Sequence, residues 1–426
     1  MNLIFNKILR RQPDLKLSNT NKSLSDFFPK GTFYFYGYPT GLESNFLNSV
    51  PPHIEELVAA RSIVCSGDYV NPVYFYSTSA EKLGKNICDK LRITSVSSKQ
   101  SLIIPGNISS NVTGRERNES LKKFLTSSFK EKKLVMAQPF LDDDFSKVCL
   151  IDPKITNWLN DKSNLNKILP KNFLPQRYLL AKNGNELHEK ISELLIPCVI
   201  KVTSSSAGDG VYICESKSDL LNAVNKLKSL DETIAVDQYI YAVKNYGLQF
   251  GLSYTGQSTI VGVSEQITSD KGEFIGGTTL NEIPIEMSEI SQYIMGTLLP
   301  YVYSLGWFGI GCIDVLVDEY GKSFAIDPNF RMTGMSTALL TRKKGCTSLS
   351  FIMSCDENSE NSLNLLSKYI MNGNIKVLAL NQFNNKWNMN VVVYFKNESL
   401  KNKILKELKI VGFESELINK ITPETA

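Results

Sequence analysis

The stretch Gly309-Ile310-Gly311-Cys312-Ile313-Asp314-Val315-Leu316-Val317-Asp318-Glu319-Tyr320-Gly321-Lys322-Ser323-Phe324-Ala325-Ile326-Asp327-Pro328-Asn329-Phe330-Arg331 decides how this chain is read. Two apolar, β-branched runs flank Tyr320-Gly321, which predicts a hairpin. With Tyr320-Gly321 as a two-residue turn, Glu319 pairs with Lys322, and in the same register Asp314 faces Asp327. The Cβ atoms of such a pair lie about 5 Å apart. Facing carboxylates among Ile313, Val315 and Leu316 repel, and burial sharpens the conflict. A hard divalent cation between them removes it. Period-two geometry puts Asp327, Asn329 and Arg331 on one face and turns Ile326, Pro328 and Phe330 into the core. Two carboxylates and a carboxamide suit Mg²⁺, and a guanidinium suits a phosphate or carboxylate. The competing reading is a solvated hairpin face, weakened by the apolar neighbours of Asp314. In the metal reading, Asp327→Asn relieves the repulsion, so the free protein keeps or gains stability while activity is lost.

A second segment lies upstream. Val199-Ile200-Lys201-Val202 reads as a strand, Thr203 to Gly210 as a run of mostly small residues, and Val211-Tyr212-Ile213 as a returning strand. Small residues let the backbone close over a ligand and present N–H groups to phosphate oxygens. Lys201 sits at the mouth of the loop, where a cation is costly without an anion. Ser204, Ser205, Ser206 and Gly208 are the loop's candidate phosphate contacts. An ordinary Ser/Gly hairpin loop is the alternative, since no Walker motif is present.

Composition narrows the chemistry. The chain has 426 residues, enough for two or three domains. Lys plus Arg total 47 and Asp plus Glu 43, so the net +4 is spread thinly and points to neither nucleic acid nor a membrane surface. No run approaches the roughly 20 apolar residues that cross a bilayer. The start, Met1 to Lys7, does not read as a signal peptide. A cytoplasmic protein is expected. The eight cysteines form no CxxC pair and read as small buried hydrophobes. With only His53 and His188, a His-rich metal site or a Ser-His-Asp triad is disfavoured. Carboxylates, Lys, Arg, backbone groups or a hard metal must carry the chemistry.

The chain divides into four blocks. Residues 1–152 read as α/β, with strands at 32–36, 63–65, 73–76, 133–137 and 148–151, a helix at 120–129 and an exposed loop at 107–120. Gly37 to Gly41 reads as a connection, not a dinucleotide turn. Residues 153–240 contain strands at 198–202 and 234–237 and a helix at 219–230 with a capping pair, Ser216 and Asp219. Residues 241–355 hold hairpin strands at 246–254 and 258–266, a helix from 288 to 305 stopped by Gly306, and the hairpin above. Residues 356–426 read as a linker-like start, a strand at 390–395 and a helical element at 400–411.

The two segments, in this order and spacing, resemble the ATP-grasp superfamily over residues 150–345. The first is similar to its apolar strand, Lys and Gly-rich loop. The second is similar to its acid on one strand and acid-x-Asn-x-Arg on the next. Asp152-Pro153-Lys154, followed by Asp161-Lys162, resembles the first phosphate lysine and its lead-in helix. Ile234 to Ile240 resembles the hinge strand that holds adenine, which implies nucleotide contacts from Asp237, Gln238, Tyr239 and Ile240. Here the loop is Ser-rich, both metal acids are Asp, and Lys244-Asn245 stand where a ribose acid is sought. The layout resembles natural-product ligases of the pheganomycin peptide type and the butirosin carrier-protein type.

That resemblance implies a Rossmann-like pre-ATP-grasp domain (1–152), a two-lobed ATP-grasp fold (153–240 and 241–355) and a small α/β extension (356–426), an α/β and α+β architecture overall. It implies ATP and Mg²⁺ as cofactors. Asp314, Asp327 and Asn329 would hold the metal, Lys154 and Lys201 the α- and β-phosphates, and Arg331 the carboxylate or acyl phosphate. A carboxylate would take the γ-phosphate, and an amine would displace phosphate to form an amide, in secondary-metabolite or peptide biosynthesis. Thr268–Thr279, with Gly272, Gly276 and Gly277, reads as a lid or as a plain loop. A carrier-protein thiol as acceptor, a nucleotide-binding module without catalysis and a homodimer stay open as alternatives.

Overall fold

The computed structural model describes residues 22–37, 52–75, 101–105, 108, 114–205, 210–270 and 272–422. Three sheets follow one another along the chain. The first is parallel: β1 (Phe33–Phe35), β2 (Asn71–Phe75), β3 (Leu102–Ile104) and β4 (Leu134–Met136), in the order β3-β2-β1-β4. β1 and β4 are buried throughout, as parallel strands covered on both faces must be.

This block departs from the sequence reading in four places. Ser62–Cys65 is a helix that directly follows the helix Pro52–Ala60, so context overrides the strand preference of Ile63 and Val64. Residues 148–151 make only an isolated bridge, Leu134 to Cys149. The helix Gly114–Ser128 begins inside the expected loop. β3 is an additional strand. Tyr38 to Gly41 lie outside the described residues.

The second sheet is antiparallel: β5 (Arg177–Ala181), β6 (Cys198–Val202), β7 (Val211–Cys214) and β8 (Ile234–Gln238), in the order β5-β8-β6-β7. The helix Lys217–Leu227 joins β7 to β8 and buries Leu220, Ala223, Val224 and Leu227. Ser216 and Asp219 close the expected capping box.

The third sheet has eight antiparallel strands. They are β9 (Ala242–Leu252), β10 (Ser258–Thr268), β11 (Phe274–Thr279), β12 (Gly309–Asp318), β13 (Ser323–Asn329), β14 (Thr347–Asp356), β15 (Ile375–Phe383) and β16 (Lys386–Phe395). Their order is β13-β12-β9-β10-β11-β14-β16-β15. Residues 274–279, read as lid or loop, are therefore a strand inside a sheet, and Thr268 ends β10. The last block also completes this sheet, because β14 pairs with β16 along its whole length. The supposed linker 356–362 is the end of β14, a turn, and a helix Glu360–Met371 capped by Ser359.

The helix expected over 288–305 is interrupted by a π turn at Ile294–Leu298, just ahead of Pro300. Proline has no N–H for the preceding turn, so the helix adjusts there. Gly306, at φ 93°, ends it.

Candidate active site

β12 and β13 pair as the sequence implies, Asp314 against Asp327, but by a different route. Next to the turn the register is shifted: Val317 pairs with Ser323 and Val315 with Ala325. A bulge between Asp314 and Val315, with Ile326 as the extra residue, restores the Asp-Asp pairing. The bulge also moves Ile326, expected in the core, onto a cleft of about 1130 Å³. Asp314, Asp327, Asn329 and Arg331 all line that cleft.

Asp314 is tightly partnered. Its Oδ1 accepts from Gln266 Nε2 at 2.6 Å, and its Oδ2 accepts from Asn329 Nδ2 at 3.2 Å. Burial, and then the charge of Asp327, pushes its carboxyl up to about 7, against the Cys312 and Gln266 hydrogen bonds. Gln266 escaped the sequence reading because it reaches Asp314 across an intervening strand. Gly247 on β9 leaves the gap: a Cβ there would stand 3.2 Å from Gln266 Nε2 and from the Cys312 thiol. Among the described residues no group of three or more His, Cys, Asp or Glu side chains could hold a metal. The donor set is therefore two carboxylates and an amide oxygen, and burial together with the like charge of Asp327 is the strain on Asp314 that a cation would relieve. That set fits Mg²⁺.

Two lysines enter from the second sheet's side. Lys201 near the end of β6 is buried, with Nζ 3.5 Å from Asp237 Oδ2. Burial pulls its amine down, and the charges of Asp237 and Asp327 oppose that. Lys162, buried on the 3₁₀ turn Lys162–Asn164, places Nζ 3.2 Å from Asp327 Oδ1 and donates to the Ser205 carbonyl. Both lysines line the cleft.

Residues 175–329 match the family model described as L-aspartate–L-methionine ligase, ATP grasp. N5-carboxyaminoimidazole ribonucleotide synthetase in its ADP complex is 13% identical at TM-score 0.57, over 92% of this chain and 98% of that one. The chain has the ATP-grasp ligase fold. The L-amino acid ligase of Bacillus licheniformis is 12% identical at TM-score 0.54, over 90% of this chain and 98% of that one. Biotin carboxylase of Campylobacter jejuni, with a β,γ-ATP ligand, is 14% identical at TM-score 0.53, over 84% and 89%.

On this ATP-grasp frame several expected contacts move. Lys154 is exposed and turned away, its Nζ 4.0 Å from Asp143, and it is not part of the cleft wall. Its backbone N–H serves the Asp152 cap of the helix Pro153–Asn160. That helix supports the site instead: Asn160 Oδ1 accepts from Phe330 N at 2.9 Å. Of the lysines in this lead-in, the one that lines the cleft is Lys162, eight positions on, and the Asp161-Lys162 pair was its signal.

The hinge residues make other contacts as well. Asp237 holds Lys201 and Arg177, with Arg177 Nε 2.8 Å from Oδ1, so its carboxylate is committed inside the protein. Gln238 is exposed, and its N–H donates to the Gln176 carbonyl at 2.8 Å. Ile240 is buried away from the cleft wall, whereas Tyr239 lines it. Asn245, in the ribose-acid region, lines the cleft with a buried carboxamide oxygen that has no hydrogen-bond partner among the described residues.

In the loop, Ser205 lines the cleft but its hydroxyl donates to the Val202 carbonyl at 2.7 Å. Ser204 is exposed and donates to Glu232. Ser206 and Gly208 lie outside the described residues. No helix among the described residues is long and apolar enough to cross a membrane.

Proposed function

We propose that this chain joins a carboxylate to an amine at the expense of ATP, through an acyl phosphate, releasing ADP and phosphate. The observation that carries this reading is one cleft in which Lys162 and Lys201 face Asp314, Asp327, Asn329 and Arg331. Phosphoryl transfer needs charge neutralisation and in-line positioning more than covalent help, and these groups supply both. Asp314, Asp327 and Asn329 would hold Mg²⁺, which when bound neutralises charge on the β- and γ-phosphates. Lys162 and Lys201 bind phosphate oxygens from the opposite wall. Arg331, buried and donating through Nη1 to the Met332 carbonyl at 3.2 Å, is fixed to receive the substrate carboxylate or its acyl phosphate. The apolar wall, including Ile326 and Phe274, keeps water from the acyl phosphate.

The matched family description names two amino acids joined to each other, which supports an amino acid on each side of the new bond. The setting is then peptide or secondary-metabolite biosynthesis. The division of labour follows the sheets: the second contributes lysines, the third the metal hairpin, and the first one end of the cleft.

The test is a panel of L-amino acid pairs with Mg²⁺ and ATP, read by chromatography of the nucleotide and mass of the product. ADP with a dipeptide-sized product is expected. AMP as main product overturns the acyl-phosphate reading. A carrier-protein thiol as acceptor would leave the amine panel silent and give a thioester instead.

A further inference from the structure

The first sheet's block contributes Arg61 to the same cleft, and no phosphate or metal role accounts for it. Arg61 is only 6% exposed, yet it lines the cleft. Among the described residues its Nε is buried without a hydrogen-bond partner, and no carboxylate pairs with its guanidinium. Glu55, the acid of the preceding helix that lines the same cleft, is engaged by Arg117 in a buried ion pair. A buried guanidinium with no anion is costly, and a site that keeps one gains when an anion arrives. A guanidinium prefers a planar carboxylate, bound through two parallel N–H donors.

The neighbours of Arg61 say what the rest of that ligand is. Ile54 and Val58 share one face of the helix Pro52–Ala60, Arg61 follows directly after its end, and all three line the cleft. Met335 lines it as well, and Ser62–Cys65, next to Arg61, packs on the short helix Ser336–Leu340. The wall is an apolar stripe ending in a cation. The reacting carboxylate has its own guanidinium, Arg331, beside the metal hairpin. Arg61 stands on a different element, so it serves a second carboxylate.

We infer that Arg61 anchors the unreacted carboxylate of the amine substrate, which is therefore a free amino acid or a peptide C-terminus carrying an apolar side chain against Ile54, Val58 and Met335. This rests on the ligase reading and sharpens it, because an acceptor lacking a carboxylate has no use for Arg61.

The experiment has a binding arm and a turnover arm. In the first, the full chain with Mg²⁺ and a non-hydrolysable ATP analogue is titrated calorimetrically with apolar L-amino acids and with their carboxamides. The parent should bind at least one acid on the order of 10- to 100-fold tighter than its amide, the range for a charge-assisted pair. Arg61→Gln should lose that preference while keeping its affinity for the nucleotide analogue, and Arg61→Lys should restore part of it. If the parent binds acid and amide alike, or binds neither, the anchor is wrong, and this result needs no variant to fold. In the turnover arm, the amino acid panel is scored for ADP. Ligation that proceeds with Arg61→Gln still discriminating acid from amide overturns the anchor and leaves the ligase reading intact. Acid-selective binding without any ADP release overturns the ligase reading and leaves the anchor intact.

Discussion

Lys162 Nζ stands 3.2 Å from Asp327 Oδ1 while it also donates to the Ser205 carbonyl. One buried cation thus ties the β12–β13 hairpin of the third sheet to the chain that follows β6 in the second. In the absence of nucleotide it satisfies Asp327, leaving Asp314 as the carboxylate that resists ionisation. In the proposed site, phosphates between the two walls would offer Lys162 a stronger anion and leave Asp327 available to a metal.

Lys162 and Lys154 make a paired prediction. Lys162→Met should weaken Mg²⁺–ATP binding on the order of 10- to 100-fold, since a charge-assisted hydrogen bond contributes about 1.5–3 kcal/mol. Lys154→Met should leave nucleotide affinity and turnover unchanged, because its ammonium lies on the surface beside Asp143. Calorimetric titration of both variants with the nucleotide checks this. A loss confined to Lys154→Met would place the phosphate site elsewhere.

The two aspartates separate by their partners. From the register alone, Asp327→Asn relieves repulsion and keeps or raises stability. The Lys162 contact reverses that expectation, because the substitution strips a buried ammonium of its counter-charge and should destabilise the free protein. Asp314→Asn is now the stabilising variant: it removes the strained carboxylate, on which burial and Asp327 outweigh the favourable charge of Arg331. Both should abolish Mg²⁺-dependent turnover. Metal-free melting curves alongside ADP assays decide, and equal melting shifts for the two variants would contradict the asymmetry.

The Asp314–Asp327 pairing was legible because its information is local. Pairing, face and charge conflict all follow from residues 309–331, and the bulge at Ile326 corrected a turn read one residue short. Lys201 was legible for the same reason. What could not be read were relationships set by sheet order. Gln266 meets Asp314 only because β9 lies between β10 and β12 with a glycine at the crossing. Asp237 turns from hinge contact to lysine holder because β8 lies beside both β5 and β6. Lys154 and Lys162 look equivalent in sequence. Only the helix between them, capped by Asp152, points one outward and delivers the other to the cleft.

The raised Asp314 carboxyl gives a pH signature. The folded, metal-free chain keeps this proton up to about 7, while the unfolded chain releases it near the ordinary 3.8. The native state therefore binds more protons between those values. This contribution to stability is complete below about 4 and is lost as pH rises through 7. Urea unfolding without metal at pH 5 and pH 8 should show the loss, and Asp314→Asn should flatten it. Mg²⁺–nucleotide binding near pH 6 should release a proton, measurable as a buffer-dependent heat. A heat independent of buffer would mean that Asp314 does not meet the metal.

Asp237 offers the sharpest division between a nucleotide contact and a support. If its carboxylate touched adenine, Asp237→Asn would lower ATP affinity at unchanged stability. The geometry requires another order of events. Asp237 lies 2.8 Å from Arg177 Nε and 3.5 Å from Lys201 Nζ, and it is buried. Burial already drives the Lys201 amine toward its neutral form, and Asp237 is the largest influence holding the charge on it. Removing that carboxylate leaves two largely buried cations side by side, at a cost of about 3–5 kcal/mol for breaking such a pair. Asp237→Asn should therefore melt well below the parent without nucleotide. Saturating Mg²⁺–ATP should recover part of the difference, because phosphate supplies Lys201 with the anion it lost. A variant that melts with the parent yet binds ATP poorly would return Asp237 to the hinge.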